Sequence, residues 1–231
     1  MTALTVATAA RAAQLVIRAR MMRDAAKLWP VLDPKRLDQT FPSWLRAMMA
    51  LIGNYHGQSS QAAGAFYRAA RAEATQSPAP GSLIRIAPAP AEQWMSRALG
   101  YAGPGMLERD TARPGTALTT TLGTSSRIVL DGGRSTVLAT VKADPVAVGY
   151  FRVTDGDPCA FCALLAGRGI VYKADTANFQ SHNDCGCYGA PAFDRDQELP
   201  AISQEADRIY QRGGDGPALQ VFRKNWDARK H

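Results

Sequence analysis

The four cysteines of this 231-residue chain all lie between Cys159 and Cys187. With the histidine among them, His182, the pattern is C-x2-C, nineteen residues, then H-x2-C-x-C. A C-x-x-C turn places two thiolates on one side of a tight loop, as two corners of a tetrahedral metal site require. In a chain made in a reducing cytoplasm, this crowding favours a metal site over disulfides.

The pattern offers five candidate ligands for four positions. Cys185 and Cys187 would share one face if their segment is extended, and His182 could reach the same place from one turn earlier. Zinc prefers thiolate and imidazole ligands in a tetrahedron, and a structural site leaves no position open to water. We expect a structural zinc ion bound by Cys159, Cys162, Cys185 and either His182 or Cys187. Free packed cysteines, and disulfides between the two halves of the pattern, are the alternatives.

The net charge of +7 is concentrated in the first third of the chain. Residues 1–76 contain ten Lys or Arg and four Asp or Glu, a balance of +6. Such a segment favours contact with a phosphate backbone or an acidic protein surface, although a basic helical face can also be merely solvated. The candidate contact residues are Arg11, Arg18, Arg20, Arg23, Lys27, Lys35 and Arg36.

Hydropathy argues against a leader sequence or a membrane helix. The first strongly apolar stretch, Leu15–Ile17, is interrupted at once by Arg18. Nothing in the chain approaches the roughly 18 uninterrupted apolar residues that a membrane helix needs. We therefore expect no contact with a membrane.

Periodicity predicts a mostly helical chain with a few short strands. The segment Asn54–Gly57 is expected to end a helix, with Gly57 as its cap. A Gly/Pro-rich loop is expected to follow the helix Glu92–Leu99 and to reach Gly115. The predicted helices are Ala3–Trp29, Pro42–Tyr55, Gln58–Thr75, Glu92–Leu99, 116–142, Gln197–Tyr210 and Pro217–Arg229, with a helical turn at Cys159–Leu165. The predicted strands are Val148–Val153, Ile170–Tyr172 and Cys185–Tyr188.

Motifs for catalysis are incomplete. The chain has three histidines, His56, His182 and His231, and no G-x-S-x-G motif frames a serine nucleophile. Pro158–Cys162 matches the P-C-x-x-C half of the deaminase signature, but no upstream H-x-E accompanies it. A thioredoxin-like redox pair would need a fold that the sequence does not indicate. The sequence therefore gives no positive indication of catalysis.

The run from Val148 to Gly169, VGYFRVTDGDPCAFCALLAGRG, resembles the central part of MuF-like (phage Mu protein F-like) minor capsid proteins of tailed phages, in particular the actinobacteriophage branch. That family pairs Arg-Val-x-Asp-x-x-x-Cys-x-x-Cys with a downstream His-x-x-Cys-x-Cys, and both halves occur here in order. The resemblance covers roughly residues 115–195, about a third of the chain.

The resemblance implies a structural protein rather than an enzyme. Members of the family act in head assembly, are present in few copies, and lie inside the capsid near the portal vertex and the packaged DNA. The expected partners are the portal protein or the major capsid protein, with possible non-specific contact to DNA. The expected location is the virion interior, after assembly in the host cytoplasm.

Two other functions are alternatives. Some members of the actinobacteriophage branch are labelled capsid maturation proteases. A zinc-containing nucleic-acid-binding module is the second alternative, but the charges around the cysteines are mixed, which argues against that region as the reader of DNA.

These observations predict an α+β, mostly helical fold in four segments. Residues 1–76 would form a helical region, and residues 77–91 a Pro-rich linker or arm. Residues 92–195 would form a small MuF-like domain held by zinc, and residues 196–231 the closing helices.

Overall fold

The computed structural model describes residues 3–109, 113–172, 179 and 181–229. Within these ranges the chain is mostly helical and carries one small sheet, which confirms the α+β class. The helices are α1 (Ala3–Leu28), α2 (Leu37–Thr75), α3 (Glu92–Ala102), α4 (Pro104–Arg109), α5 (Pro114–Ala143), α6 (Ala160–Gly167), α7 (Ala201–Arg212) and α8 (Ala218–Ala228). The strands are β1 (Gly149–Val153), β2 (Val171–Tyr172) and β3 (Tyr188–Ala192).

Helix α2 is one continuous helix, so the predicted break at Asn54–Gly57 is wrong. A glycine inside a helix costs only about 1 kcal/mol relative to alanine. Ile52 and Tyr55 before Gly57, and Ala63 after it, are buried against neighbouring helices. Tertiary packing therefore outweighs the weak local preference for a helix end at Gly57.

Helices α1, α2 and α5 form the centre of the molecule, and α2 and α5 approach each other closely at Gly132 and Gly133. A Cβ atom at Gly132 would lie 2.7 Å from the hydroxyl oxygen of Ser60 and 2.8 Å from the carbonyl oxygen of His56. The backbone N–H of Gly133 donates to the Ser59 hydroxyl at 2.9 Å. Only residues without a side chain allow this approach, so the two glycines position α5 on α2.

A segment rich in proline, residues 84–90, lies along the helices and is called the strap below. The backbone N–H groups of Arg85 and Ala87 donate to the hydroxyls of Thr140 and Thr136 at 3.0 and 2.9 Å. The side chains of Ile84 and Ile86 lie over Gly64 of α2, where a Cβ atom would come within 3.0 Å of both. The predicted linker or arm thus lies on this chain's own helices at this point.

The sheet has the order β2-β1-β3 with both pairs antiparallel. Strand β1 is buried along its whole length and matches the predicted strand. The predicted strand Cys185–Tyr188 is wrong, because β3 begins only at Tyr188. The preceding segment turns instead, with Asp184 at a φ of 63° and the N–H of Cys185 bonded to the carbonyl of His182.

Helices α7 and α8 pack on α6 as a small separate cluster around Phe222 and Trp226. They begin after Pro200 and Pro217, so α7 starts four residues later than predicted. A residue before proline is disfavoured in the helical region, which explains the late start at Pro200.

Helix α4 lies in the segment that was predicted to be a Gly/Pro-rich loop, so that prediction is wrong there.

None of the helices that the structure describes combines the length and apolar character that crossing a lipid bilayer requires. The division of the chain into four segments stays a prediction.

Candidate metal centre

Two separate parts of the chain bring the five candidate ligands together. Cys159 is the N-cap of α6, and Cys162 lies in its first turn. His182, Cys185 and Cys187 belong to the loop at residues 181–187, called the ligand loop below, which leads into β3. The C-x-x-C half thus opens a helix, and the second half lies in an irregular turn.

The donor atoms lie at distances that suit a metal site. The Nε2 atom of His182 is 3.2 Å from Sγ of Cys159 and 3.4 Å from Sγ of Cys162. Sγ of Cys162 is 3.5 Å from Sγ of Cys185. In a tetrahedral zinc site with ordinary bond lengths, neighbouring ligand atoms are about 3.5–3.8 Å apart. These groups could therefore hold a metal ion.

Cys162 belongs to two groups of three donors. One group contains Cys159, Cys162 and His182, and the other contains Cys162, Cys185 and Cys187, with the donor atoms of each group within 4.8 Å of one another. His182 approaches both sulfurs of the C-x-x-C turn directly. Cys185 and Cys187 both share a group with Cys162 but not with Cys159 or His182.

All four cysteines are free thiols in the structure. The sulfurs of Cys162 and Cys185 are 3.5 Å apart, whereas a disulfide bond brings two sulfurs to about 2.05 Å. Three of the thiols are buried, and Cys159 is exposed.

The thiols differ in their tendency to ionise. Hydrogen bonds from the thiols of Cys162 and Cys187 lower the pKa of Cys185 far below its usual value, against the effect of burial. The hydrogen bond between Cys162 and Cys185 raises the pKa of Cys162. The contact with Cys162 lowers the pKa of Cys187, but the hydrogen bond with Cys185 and burial together outweigh it and raise that pKa to about 11. Buried, adjacent sulfurs cannot all ionise without a cation, and a bound metal ion supplies that charge.

The ring of His182 is oriented by its neighbour in the chain. Its Nδ1 atom is 2.6 Å from the carbonyl oxygen of Asn183. A carbonyl oxygen only accepts, so Nδ1 carries the proton and Nε2 presents its lone pair to the sulfurs. Burial lowers the pKa of His182, but the contacts with the Asn183 carbonyl and the Cys159 sulfur raise it more.

Arg134 on α5 fixes the backbone of the ligand loop. Its Nη2 atom donates to the carbonyl oxygens of Cys185 at 2.6 Å and of Cys187 at 2.9 Å, and its Nε atom donates to the latter at 3.0 Å. Its Nη1 atom pairs with Asp131 at 2.7 Å. Ser181 at the start of the loop also donates to Asp131, at 3.1 Å. The loop is therefore attached to α5 at both ends.

Sequence reasoning missed Arg134, although the sequence contains a sign of it. Leu130, Arg134, Val137 and Val141 follow one another at intervals of four, three and four residues. This spacing places the arginine on the apolar stripe of α5 that faces the core. A charged residue on such a stripe needs a buried partner, and here the partners are the carbonyl groups of the ligand loop.

Two residues predicted to contact DNA instead hold the ligand loop on α1. The Nε atom of Arg11 donates to the carbonyl oxygen of Gly186 at 2.9 Å, and Arg11 lies 3.5 Å from a carboxylate oxygen of Asp155. Arg18 pairs with Asp184 at 3.2 Å. The guanidinium groups of Arg11 and Arg18 are thus engaged within the chain.

The remaining predicted basic residues lie at the surface. Lys27 and Arg36 form exposed pairs with Asp24 and Asp33, three residues before them. Surface pairs of this kind contribute little to stability and exchange readily for other partners. The other exposed basic residues of that prediction are Arg20, Arg23 and Lys35.

The arrangement around His56 is not that of a catalytic triad. His56 lies near Asp131 and Ser135, which line the same cavity. A triad needs hydrogen bonds from serine to histidine and from histidine to carboxylate. Among the described residues the His56 ring has no hydrogen bond, and Asp131 is bonded to Arg134 and Ser181.

The model of one protein family, described as VG15 protein, matches residues 1–212 of the chain. This range contains all five candidate ligands and ends at the last residue of α7, so α8 lies outside it. No curated protein and no solved structure matches the chain significantly.

Proposed function

The chain belongs to the VG15 protein family, a phage-associated family, and on that premise we propose that it is a structural protein of a tailed-phage head. Within that class we propose a MuF-like minor capsid protein that acts in head assembly. The observation that carries this proposal is the ordered motif, whose two halves meet in one Cys/His cluster on a helical core. The cluster is held by backbone contacts from α1 and α5.

We propose that the cluster binds one structural zinc ion through Cys159, Cys162, His182 and Cys185. His182 is favoured over Cys187 because it contacts both sulfurs of the C-x-x-C turn. Cys185 completes the set because its sulfur is 3.5 Å from Cys162 and its thiolate form is favoured. Zinc bound there would join α6 to the ligand loop and so connect the C-terminal cluster with the helical core.

The proposed surroundings are the capsid interior near the portal vertex. The portal protein or the major capsid protein is the proposed partner. Contact with DNA would come from Arg20, Arg23, Lys27, Lys35 and Arg36, because Arg11 and Arg18 are bound to the ligand loop. Such contact would be electrostatic and independent of sequence.

The capsid maturation protease is the second candidate function. Its nucleophile and base would have to lie close together within hydrogen-bond reach. His56 makes no such bond. Sγ of Cys159 and Nε2 of His182 do lie within this reach, at 3.2 Å, but the same nitrogen is also 3.4 Å from Sγ of Cys162, as expected of a shared metal ligand.

Quantitative mass spectrometry of purified mature particles and of proheads from the same phage tests the proposal. A minor capsid protein persists in mature particles at a few copies each. Presence in proheads alone, with loss on maturation, would favour the protease or a scaffold. Absence from both particles would contradict a head protein of any kind.

A charge series tests the proposed DNA contact separately. Arg20→Glu, Arg23→Glu and Lys35→Glu together should lower affinity for duplex DNA and reduce the salt dependence of binding. Glu replacements of Arg208, Arg212 and Lys224, which lie on α7 and α8, serve as the control of equal charge change. Equal losses in both triple variants would contradict the assignment to the N-terminal face.

A further inference from the structure

A cavity of about 300 Å³ lies between α2, α5 and the strap, apart from the Cys/His cluster. Its volume is at the lower end of the range for small-molecule sites. Its walls combine apolar surfaces with three side chains that can accept hydrogen bonds. The lining consists of His56, Trp94, Ile128, Asp131, Ser135 and the strap residues 87–90.

The cavity is formed by fixed elements. Ile128, Asp131 and Ser135 share one face of α5 at intervals of three and four residues. The strap is held on α5 by the bond from the Ala87 N–H to Thr136 at 2.9 Å. Trp94 lies in the first turn of α3 and is 45% exposed. The indole therefore stands at the entrance, where it can contact both a ligand and solvent.

His56 is a buried polar residue without a partner in the described part of the chain. It is 4% exposed, lines the cavity, and its ring forms no hydrogen bond with described residues. Neither ring nitrogen is an enclosed atom without a partner, so the nitrogens reach the open space of the cavity, where a ligand can form hydrogen bonds with them. Burial also lowers the pKa of His56, against the effect of Asp131, so the ring is a neutral acceptor or donor.

Asp131 supplies negative charge to the same space. Its Oδ1 atom accepts from Arg134 and Ser181, whereas no described residue donates to its Oδ2 atom. The carboxylate side chain is 39% exposed. Its one ion-pair partner in the described chain, Arg134, is 1% exposed and directed towards the ligand loop. The polar side of the cavity therefore accepts hydrogen bonds at Oδ2 of Asp131, whose negative charge is partly offset by Arg134 at 2.7 Å.

We propose that this cavity binds an organic cation, a guanidinium or alkylammonium group on an apolar stem, as in arginine and lysine side chains. The carboxylate of Asp131 and the neutral ring of His56 accept its N–H groups. The indole face of Trp94 attracts the charge, and Ile128 and the strap prolines contact the stem. An anion would be repelled by Asp131. The proposal does not depend on the metal or on a role in the phage head.

Indole N–H resonances of the full-length, zinc-loaded, ¹⁵N-labelled chain provide the test. The probes are the N-acetyl methylamides of arginine and lysine, with the norleucine derivative as a neutral control of similar stem length. Both cationic probes should shift the Trp94 resonance with a dissociation constant in roughly the millimolar range. The resonance of Trp226, which is buried against α6, should not move.

Two variants connect any binding to this cavity. His56→Phe should weaken binding of the arginine probe at least about tenfold. Because a buried change can disturb folding, Trp94→Leu at the surface is the second variant and should weaken binding to a similar degree. This variant lacks the Trp94 signal, so its affinity is measured from the resonances of the arginine probe. Tyr101→Leu, at an exposed aromatic residue seven positions further along α3, is the matched control and should leave binding unchanged.

The outcomes are decisive in both directions. The proposal is overturned if the Trp94 resonance does not move with the cationic probes or moves equally with the norleucine derivative. It is also overturned if Trp94→Leu binds the arginine probe with native affinity. Two further probes identify the source of the cation. Tighter binding of arginine-containing peptides than of the single residue assigns the site to a partner protein, and tighter binding of a free diamine assigns it to a small molecule.

Discussion

The guanidinium group of Arg134 donates a hydrogen bond of 2.6 Å to the backbone carbonyl oxygen of Cys185, from a side chain that is 1% exposed. The ligand loop therefore rests on α5 through a buried cation, whereas its own His182 and Cys185 contact Cys159 and Cys162 of α6. A bound zinc ion with three thiolates has a net charge of −1, and the nearby guanidinium offsets it. Arg134 thereby couples the helical core to the proposed metal centre.

Replacement of Arg134 by methionine should damage both stability and metal binding. The change leaves the carbonyls of Cys185 and Cys187 without their side-chain donor and leaves Asp131 with Ser181 alone. We expect a loss of about 2–6 kcal/mol in the free energy of unfolding, because two buried carbonyl groups lose their donor. We also expect metal affinity to fall roughly 10–100-fold. Denaturant titration and chelator competition measure the two effects. The exposed Arg20→Met is the control, and native zinc affinity in Arg134→Met would contradict the coupling.

The close approach of α5 to α2 predicts opposite effects for two glycine replacements. Gly132→Ala places a methyl group 2.8 Å from the carbonyl oxygen of His56, which cannot move freely, and should cost about 1–3 kcal/mol. At Gly57 a Cβ atom meets nothing within 4 Å, so Gly57→Ala should stabilise the protein by about 0.4–1 kcal/mol. Thermal unfolding measures both. A destabilised Gly57→Ala would indicate that the helix is strained there.

These glycines show how far local sequence determines the fold. The length of α1, the position of β1 and the presence of helices at α5, α7 and α8 follow from periodicity and from proline positions. The continuity of α2 does not, because Gly57 favours a helix end locally and only contacts with distant segments override it. The same holds for β3, where the turn at Asp184 delays the strand to Tyr188.

The candidate site was predicted only in part. Cysteine spacing singled out the residues that the structure brings together. It did not choose between His182 and Cys187, because that choice depends on the direction of the ligand loop. Charge counts placed Arg11 and Arg18 on a binding face, whereas both hold the ligand loop. Composition records how many arginines a segment has, not what each one contacts.

Helix α8 should stabilise the C-x-x-C turn although it lies outside the family match. The indole N–H of Trp226 donates to the carbonyl of Pro158 at 3.0 Å, directly before Cys159. Trp226→Ala should destabilise the α6–α8 cluster by about 3–5 kcal/mol and weaken metal retention. Leu219→Ala, at an exposed position of α8, should have little effect. Hydrogen exchange of α6 measures the change, and unaltered protection in Trp226→Ala would exclude this role.

The buried ring of His56 predicts a dependence of stability on pH. Burial lowers the pKa of His56 below its ordinary value of 6.5 in the folded chain. As pH falls below 6.5, His56 becomes protonated in the unfolded chain but stays neutral in the folded chain. The contribution of His56 to stability therefore decreases until the pH reaches the pKa of His56 in the folded chain. A tenfold difference in proton affinity between the folded and unfolded chains corresponds to about 1.4 kcal/mol.

The comparison of the native chain with His56→Gln, both loaded with zinc, isolates this effect. Unfolding free energies between pH 5 and pH 7.5 should show the native chain losing stability relative to the variant on acidification. Contributions from the metal centre are common to both proteins and cancel in the difference. Parallel curves would mean that the ring is protonated equally in both states.

Zinc content together with the zinc X-ray absorption spectrum tests the metal centre most directly. The chain purified with zinc should hold about one ion, with three sulfur neighbours near 2.3 Å and one nitrogen near 2.0–2.1 Å. Cys159→Ser should lose the ion and the order of residues around β1 and the ligand loop, whereas Cys187→Ser should keep both. No stoichiometric zinc in the native chain, or full zinc content and thermal stability in Cys159→Ser, would contradict the proposed centre.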